Sequence, residues 1–599
     1  MSDPLAWDLG DLYSGPDDPS IDRDLQAAGQ RAAAFATAYR EQIGLPDGPP
    51  AAVLLAALRE LEGLLEQADK PLLYAELLHA AKTDDSSHGA LIARVREKRA
   101  AIGRHLLFFD REWASVSDQA AARLMAEPAL RRYGHFLERK RGVLGHRLTD
   151  DEESVLECKR QTAREAFLRL FDETVAAQRF RPATHHEDKP LTLAEIRDKL
   201  SALDRGARRA AAEAMTAGFQ RDARLLTFIV NTLLLDHGLE CRLRGVPDPM
   251  APRNFANEIN DREVEALMTA VERRRTLVER YYLLKREMLG LEQLHEYDRS
   301  APVALGSSTW TWLEARRMVE EAYAAFSPRA GSIVKEFFER GWIDSARRPG
   351  KSGGSFSSMT VPSLHPYVLA NFGGRLRDVV TLAHELGHGL HQRLSASAGH
   401  LQADASLIIA ETAAVFGEML LLDRLLAGSA ARELRLAWLT SQIEMAIDRV
   451  FRQVMLTRFE RSLHRARAEQ GELTAETINE TWLAAHRELY GSAVAFDSAY
   501  GCWWPSIGNF MEEPFYGYAY AFGQLLALAL MERHCQDREC FASRYLEILA
   551  AGGSASPRAL VARLGIDLAD FKIWEAGLDR IAEMVTKAER LAGGLAGLA

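Results

Sequence analysis

The chain has 599 residues, a hydrophobic fraction of 47%, a charged fraction of 26% and a formal net charge of −10. That length gives room for two domains or one large multi-lobed one, and the composition is that of an ordinary soluble globular protein, which excludes a disordered chain. The charge is spread out with no lysine and arginine block of the kind that tracks a phosphate backbone, so nucleic acid is excluded as an expected partner.

In chain order, the opening MSDPLAWDLGDLY is acidic and lacks a basic segment followed by an apolar run. No secretory signal is read there, and a cytoplasmic location is expected. Leu54, Leu58, Leu61 and Leu65 recur at the spacing of one helix face. Glycine and proline cluster at 45–50, 179–190, 347–354 and 551–557, which read as breaks. A short strand is expected around 177–182, and a soft boundary near residue 190 separates a helical N-terminal region, 1–190, from residues 191–599. His185, His186, Glu187 and Asp188 lie in a polar, proline-flanked setting and read as a solvated loop.

The most apolar run, 225–236, is too short and too interrupted to cross a bilayer, so no membrane association is expected. Val264, Leu267, Val271, Val278 and Tyr281 predict a further helix after a cap at Asp261. Two strands are expected at 355–361 and 365–372, separated by turn-forming residues. The final residues, 591–599, read as a frayed end, and no repeat of 20–50 residues is present. Five scattered cysteines without C-x-x-C pairs fit a reducing compartment and exclude a cysteine zinc site. The chain therefore reads as mainly α.

Directly after the strand pair, residues 381–394 read TLAHELGHGLHQRL. Residues four apart on a helix lie one above the other, so His384 and His388 can share one tetrahedral metal ion. Glu385 points to the side, where it can take a proton from a water held at the metal. Val379, Val380, Leu382, Ala383, Leu386 and Leu390 make the segment a buried helix, in which two histidines need a partner or a metal. A third ligand is required. His391 lies one turn beyond His388, about 5 Å along the axis, which suits a tetrahedron poorly. Glu411 sits inside an apolar helix at 407–426 and is the better candidate, and Glu418, two turns on, could hold a ligating histidine from behind.

With WDLGDLY at 7–13, HPYVLANFGGRLRDVVTLAHELGHGLHQ at 365–392, AETAAVFGE at 410–418 and PFYGYAYAFGQLL at 514–526, the sequence resembles the thimet oligopeptidase and oligoendopeptidase F family of zinc metallopeptidases, more closely its bacterial oligoendopeptidase F branch. The resemblance implies a large helical two-lobed fold with a deep central channel and a small β-sheet beside the zinc helix. It makes residues 191–599 the zinc-peptidase domain. It also implies one Zn2+ per chain held by His384, His388 and Glu411, with Glu385 as general base. Oxyanion stabilisation would fall to the tyrosines of 516–520, Tyr518 first and Tyr516 second, since a phenol can donate without carrying charge.

The family binds extended peptides beside an edge strand before the zinc helix. On that pattern 365–374 is the edge strand, with His365, Tyr367, Asn371, Gly373 and Gly374 as substrate-binding positions, the two glycines as a mobile loop, and Asn509 and Tyr520 as further contacts. The implied activity is hydrolysis of internal bonds in short unstructured peptides. Action on peptide ends, and a peptide-binding scaffold with weakened catalysis, are the alternatives. Two departures stand out: Asn509 occupies a position where the family usually has histidine, and 354–358, GSFSS, falls where many relatives carry a cysteine.

Overall fold

The structure, a computed structural model, describes residues 6–142, 148–160, 162–183, 190–303, 309–428 and 431–593. The polar stretch at 185–188 and most of the frayed end lie outside them. Among the described residues no helix is long and apolar enough to cross a membrane. The fold is mainly α, with only small sheets.

The chain begins with three helices, α1 (Pro19–Tyr39), α2 (Ala51–Ala81) and α3 (Ser86–Ser115). Asp18 and Asp85 start α1 and α3 by accepting from the backbone N–H groups of Ser20 and Ser87, each satisfying a donor that the first helical turn leaves without a partner. Of the leucine face predicted from position 54, Leu54, Leu58 and Leu61 are buried in α2, 4% exposed or less, while Leu65 is half-buried. Further on come α4 (Arg205–Leu243), α5 (Asp261–Arg273), α6 (Thr276–Met288) and the two-residue strand β1 (Leu294–His295).

The single helix predicted beyond residue 261 is thus two, broken at Arg274 and Arg275. Its cap is Asn260, whose side chain accepts from Glu263 N–H while the Glu263 carboxylate returns to the Asn260 N–H. Asp261 is the first helical residue instead. The strand expected at 177–182 reduces to one isolated bridge between Phe180 and Leu191.

Next come α7 (Trp312–Phe326), β2 (Ile343–Asp344), β3 (Phe356–Ser358), β4 (Tyr367–Leu369), α8 (Leu376–Ser395) and α9 (Leu407–Ala427). The strand β5 (Val494–Ala495) pairs with β1, and α10 (Tyr518–Gln536) and α11 (Arg538–Ala551) follow. Two compact units gather these elements. One comprises Met1–Gly145, Ser307–Gly428 and Leu530–Asp567, the other His146–Gly306, Ser429–Ala529 and Leu568–Ala599.

The strands expected at 355–361 and 365–372 are present in the first unit, shortened to β3 and β4, and they pair antiparallel with Ser357 opposite Val368. The sheet order is β2-β4-β3. Residues 365–372 therefore supply the central strand, and the expected edge strand is corrected: β2, too short to show a period of its own, covers the other side of β4. Val368 N–H donates to Trp342 O (2.9 Å) and Ala370 N–H to Asp344 O (2.8 Å). All three residues of β4 are fully buried. Trp7 lies edge-on to Tyr367 at 5.9 Å, and Asp11 accepts from His365 Nε2 at 3.0 Å, so the first segment of the chain is fastened to this sheet.

Helices α8 and α9 cross backbone against backbone. A Cβ on Gly387 would fall 2.6 Å from Ala413 O and 2.7 Å from Ala414 Cα, and one on Gly417 would fall 2.8 Å from Ala383 O. Neither backbone can yield without shifting a whole helix. Gly387→Ala is therefore expected to cost roughly 2 kcal/mol or more, the scale of overpacking a filled core. A urea melt with an unchanged midpoint would show that the helices separate freely.

Candidate metal and catalytic site

Helix α8 starts where the Asp378 carboxylate accepts from the N–H groups of Gly373 (2.9 Å) and Arg375 (3.1 Å). From there the helical repeat brings His384 and His388 to one face, with ring centroids 4.9 Å apart and ring planes at 85°. The glycine crossing brings α9 close enough for its short acidic side chains to reach them. Glu411 Oε1 lies 3.9 Å from His388 Nε2. His384 Nδ1 donates to Glu418 Oε1 at 2.5 Å, the contact anticipated for Glu418.

That hydrogen bond fixes the tautomer and leaves His384 Nε2 as the lone-pair nitrogen. One ligand atom each from His384, His388 and Glu411 lie within 4.8 Å of one another. Burial, together with His384 and His391, pulls His388 down to about 3, so its imidazole is neutral and can offer a lone pair. Two imidazoles and one carboxylate are a donor set that suits zinc with a position left open. The residues fit the group the motif implies.

Glu385 is buried, 5% exposed, beside His384. His391 does not join the three donors. Burial lowers it to about 4, and its Nε2 has no hydrogen-bond partner among the described residues.

Residues outside the motif complete the support, and sequence reasoning missed them. Tyr323 on α7, fully enclosed, donates its hydroxyl to Ala383 O at 2.7 Å, one residue before His384. Gly417 makes room for that hydroxyl: a Cβ there would overlap Tyr323 Oη. Isolated glycines inside two apolar helices were the available signal of a close backbone approach.

The expected substrate positions of the first unit make these contacts. His365 stacks on Trp342 with centroids 3.8 Å apart, in addition to its bond with Asp11. Tyr367 is enclosed, and its hydroxyl has no hydrogen-bond partner among the described residues. Asn371 Nδ2 donates to Ser352 O and Gly354 O, both at 2.9 Å, tying down the segment before β3. Gly373 is held by Asp378. Gly374 has φ of 80° and accepts from Trp310 N–H at 2.8 Å, a conformation that glycine adopts without strain.

The remaining predicted residues belong to the second unit. Tyr518 is fully buried at the start of α10. Its hydroxyl donates to Asn254 Oδ1 (2.7 Å) and accepts from Asn257 Nδ2 (2.9 Å), and burial pushes its pKa well up. Tyr516 and Tyr520 are half-buried, their rings edge-on at 5.2 Å. Before them Phe515 holds a left-handed φ of 60° while its N–H donates to the buried Glu460. Asn509 is exposed on a four-residue helix, Asn509–Glu512.

Similar proteins share this architecture. The family model for peptidase family M3 matches residues 317–580, and that for oligopeptidase F matches 112–180. An oligoendopeptidase F homolog of Lactococcus lactis subsp. lactis (strain IL1403) is 24% identical, covering 99% of each chain. A crystal structure from Chlamydophila abortus superimposes with a TM-score of 0.87 at 24% identity and 99% coverage of both chains. That of oligoendopeptidase-F from Enterococcus faecium gives 0.71 at 20% identity, over 96% of this chain and 98% of the other. At such identities the two structures establish the fold.

Proposed function

We propose a zinc endopeptidase that cuts short unstructured peptides, and the premise is that the chain belongs to peptidase family M3 and is a metallopeptidase. The observation that carries the reading is the convergence of His384, His388 and Glu411, with Glu385 beside them and Glu418 behind His384. A zinc ion held there supplies a Lewis acid for the peptide carbonyl and makes water more acidic. Glu385 takes the proton from the attacking water at its carboxylate and returns it to the departing amine. Glu418 keeps His384 in one tautomer and gains strength from the charge-assisted bond.

The substrate backbone is assigned to the outer edge of β3, since β4 is paired on both sides. His365 and Asn371 then support the sheet that carries this edge. The developing oxyanion is assigned to the tyrosines of 516–520, Tyr518 first and Tyr516 second, as the resemblance implies.

The test is digestion of a mixed peptide library with and without a chelator, read by mass spectrometry. Internal cuts are expected in peptides of roughly a dozen residues, abolished by the chelator and restored by zinc, with unfolded full-length protein cut more slowly per bond. Metal analysis should give about one zinc per chain. Cleavage indifferent to the chelator, or confined to chain ends, would overturn the reading.

A further inference from the structure

The outer edge of β3 is already occupied. In an antiparallel pair, successive residues turn their N–H and C=O groups alternately toward the partner strand and away from it. Val368 sends its N–H toward β2, so Ser357, opposite it, turns its own N–H and C=O outward. Within β3, Ser357 is thus the residue whose backbone groups face the open edge. There the carboxamide of Gln392 meets it: Gln392 Nε2 donates to Ser357 O at 3.1 Å, and Ser357 Oγ donates to Gln392 Oε1 at 2.7 Å.

Gln392 follows His384 and His388 at the same four-residue interval on α8, one turn, about 6 Å, beyond the second histidine. A primary amide carries the N–H and C=O of a peptide group. On this edge it makes the bond that an added strand would make.

We infer that Gln392 is a removable cap on the substrate edge, a specificity-determining residue whose carboxamide competes with the peptide backbone for Ser357. The inference rests on the assignment of β3 as the substrate edge. To dock, a peptide must offer an N–H to Ser357 O in place of Gln392 Nε2, and the carboxamide swings aside. The exchange replaces one set of hydrogen bonds with another, so the cap costs little against a peptide that restores them and more against one that cannot. It therefore selects extended backbone with a free amide at this position, and it shields the edge from other chains when no substrate is present.

Gln392→Ala should lower KM for a good peptide about five-fold, with kcat within about two-fold of the parent and zinc content unchanged, as expected for loss of one or two competing hydrogen bonds. Ser357→Ala, which removes only the hydroxyl half of the cap, should give a smaller fall and guards against a misfolded first variant. In a series of peptides N-methylated at one amide at a time, one member should show no gain from Gln392→Ala. An unchanged or higher KM in both variants, or a gain insensitive to every N-methyl position, overturns the cap. So does a collapse of kcat in folded, zinc-loaded Gln392→Ala, which would make Gln392 a support of β3. Failure of the underlying reading looks different: the unaltered protein would then show no chelator-sensitive cleavage.

Discussion

Glu385→Gln is expected to bind zinc as the parent does and to lose about 10³-fold in turnover. The substitution keeps the size of the side chain and touches none of the three donors, so helix α8, the Glu418 contact and the crossing with α9 are preserved. What is lost is a base: a carboxamide cannot accept the proton that water must surrender as it attacks. Near-parental turnover at full zinc occupancy would show that another group takes the proton. Single-turnover kinetics at saturating peptide, paired with metal analysis of the same sample, decide it.

The second large effect concerns the metal. Glu411→Ala is expected to weaken zinc binding by more than the 10–100-fold that loss of an outer partner costs, whereas Glu418→Gln should fall within that range. His391→Ala should leave zinc affinity almost unchanged. Glu411 is one of the three converging donors, Glu418 orients His384 through its other ring nitrogen, and His391 is buried, its Nε2 without a hydrogen-bond partner among the described residues. Competition with a chromophoric chelator orders the variants. Strong loss in His391→Ala with little in Glu411→Ala would reverse the ligand assignment.

The helix that carries the site was legible because its signal is local. An interval of four between His384 and His388 places them on one face of any helix, and a carboxylate embedded in an apolar run, Glu411, announces a partner. The mainly α character followed from the same periodicity. The edge of the sheet was not legible, because it depends on which strand lies next to which. Strand β2 is two residues long, too short for any alternation to show, yet its pairing moves β4 from edge to centre. The break at Arg274 and Arg275 was hidden for a related reason: the apolar face continues in phase across it, from Val271 to Val278. Nor could spacing rank the tyrosines. Tyr516, Tyr518 and Tyr520 alternate in sequence, and the partners of the Tyr518 hydroxyl, Asn254 and Asn257, lie 264 and 261 positions away along the chain.

The fastening of Trp7 and Asp11 to Tyr367 and His365 bears on how the chain is made. Synthesis runs from the amino side, so Asp11 must wait for a partner 354 residues further on before its docking surface exists. The compact unit to which these residues belong also draws on Leu530–Asp567, so it cannot close until those residues have emerged as well. Contacts this distant in sequence are slow to form and leave apolar surface uncovered meanwhile. Helices α1 to α3, whose contacts are mostly with one another, are able to assemble during that interval, holding the early part of the nascent chain in order until α8 arrives.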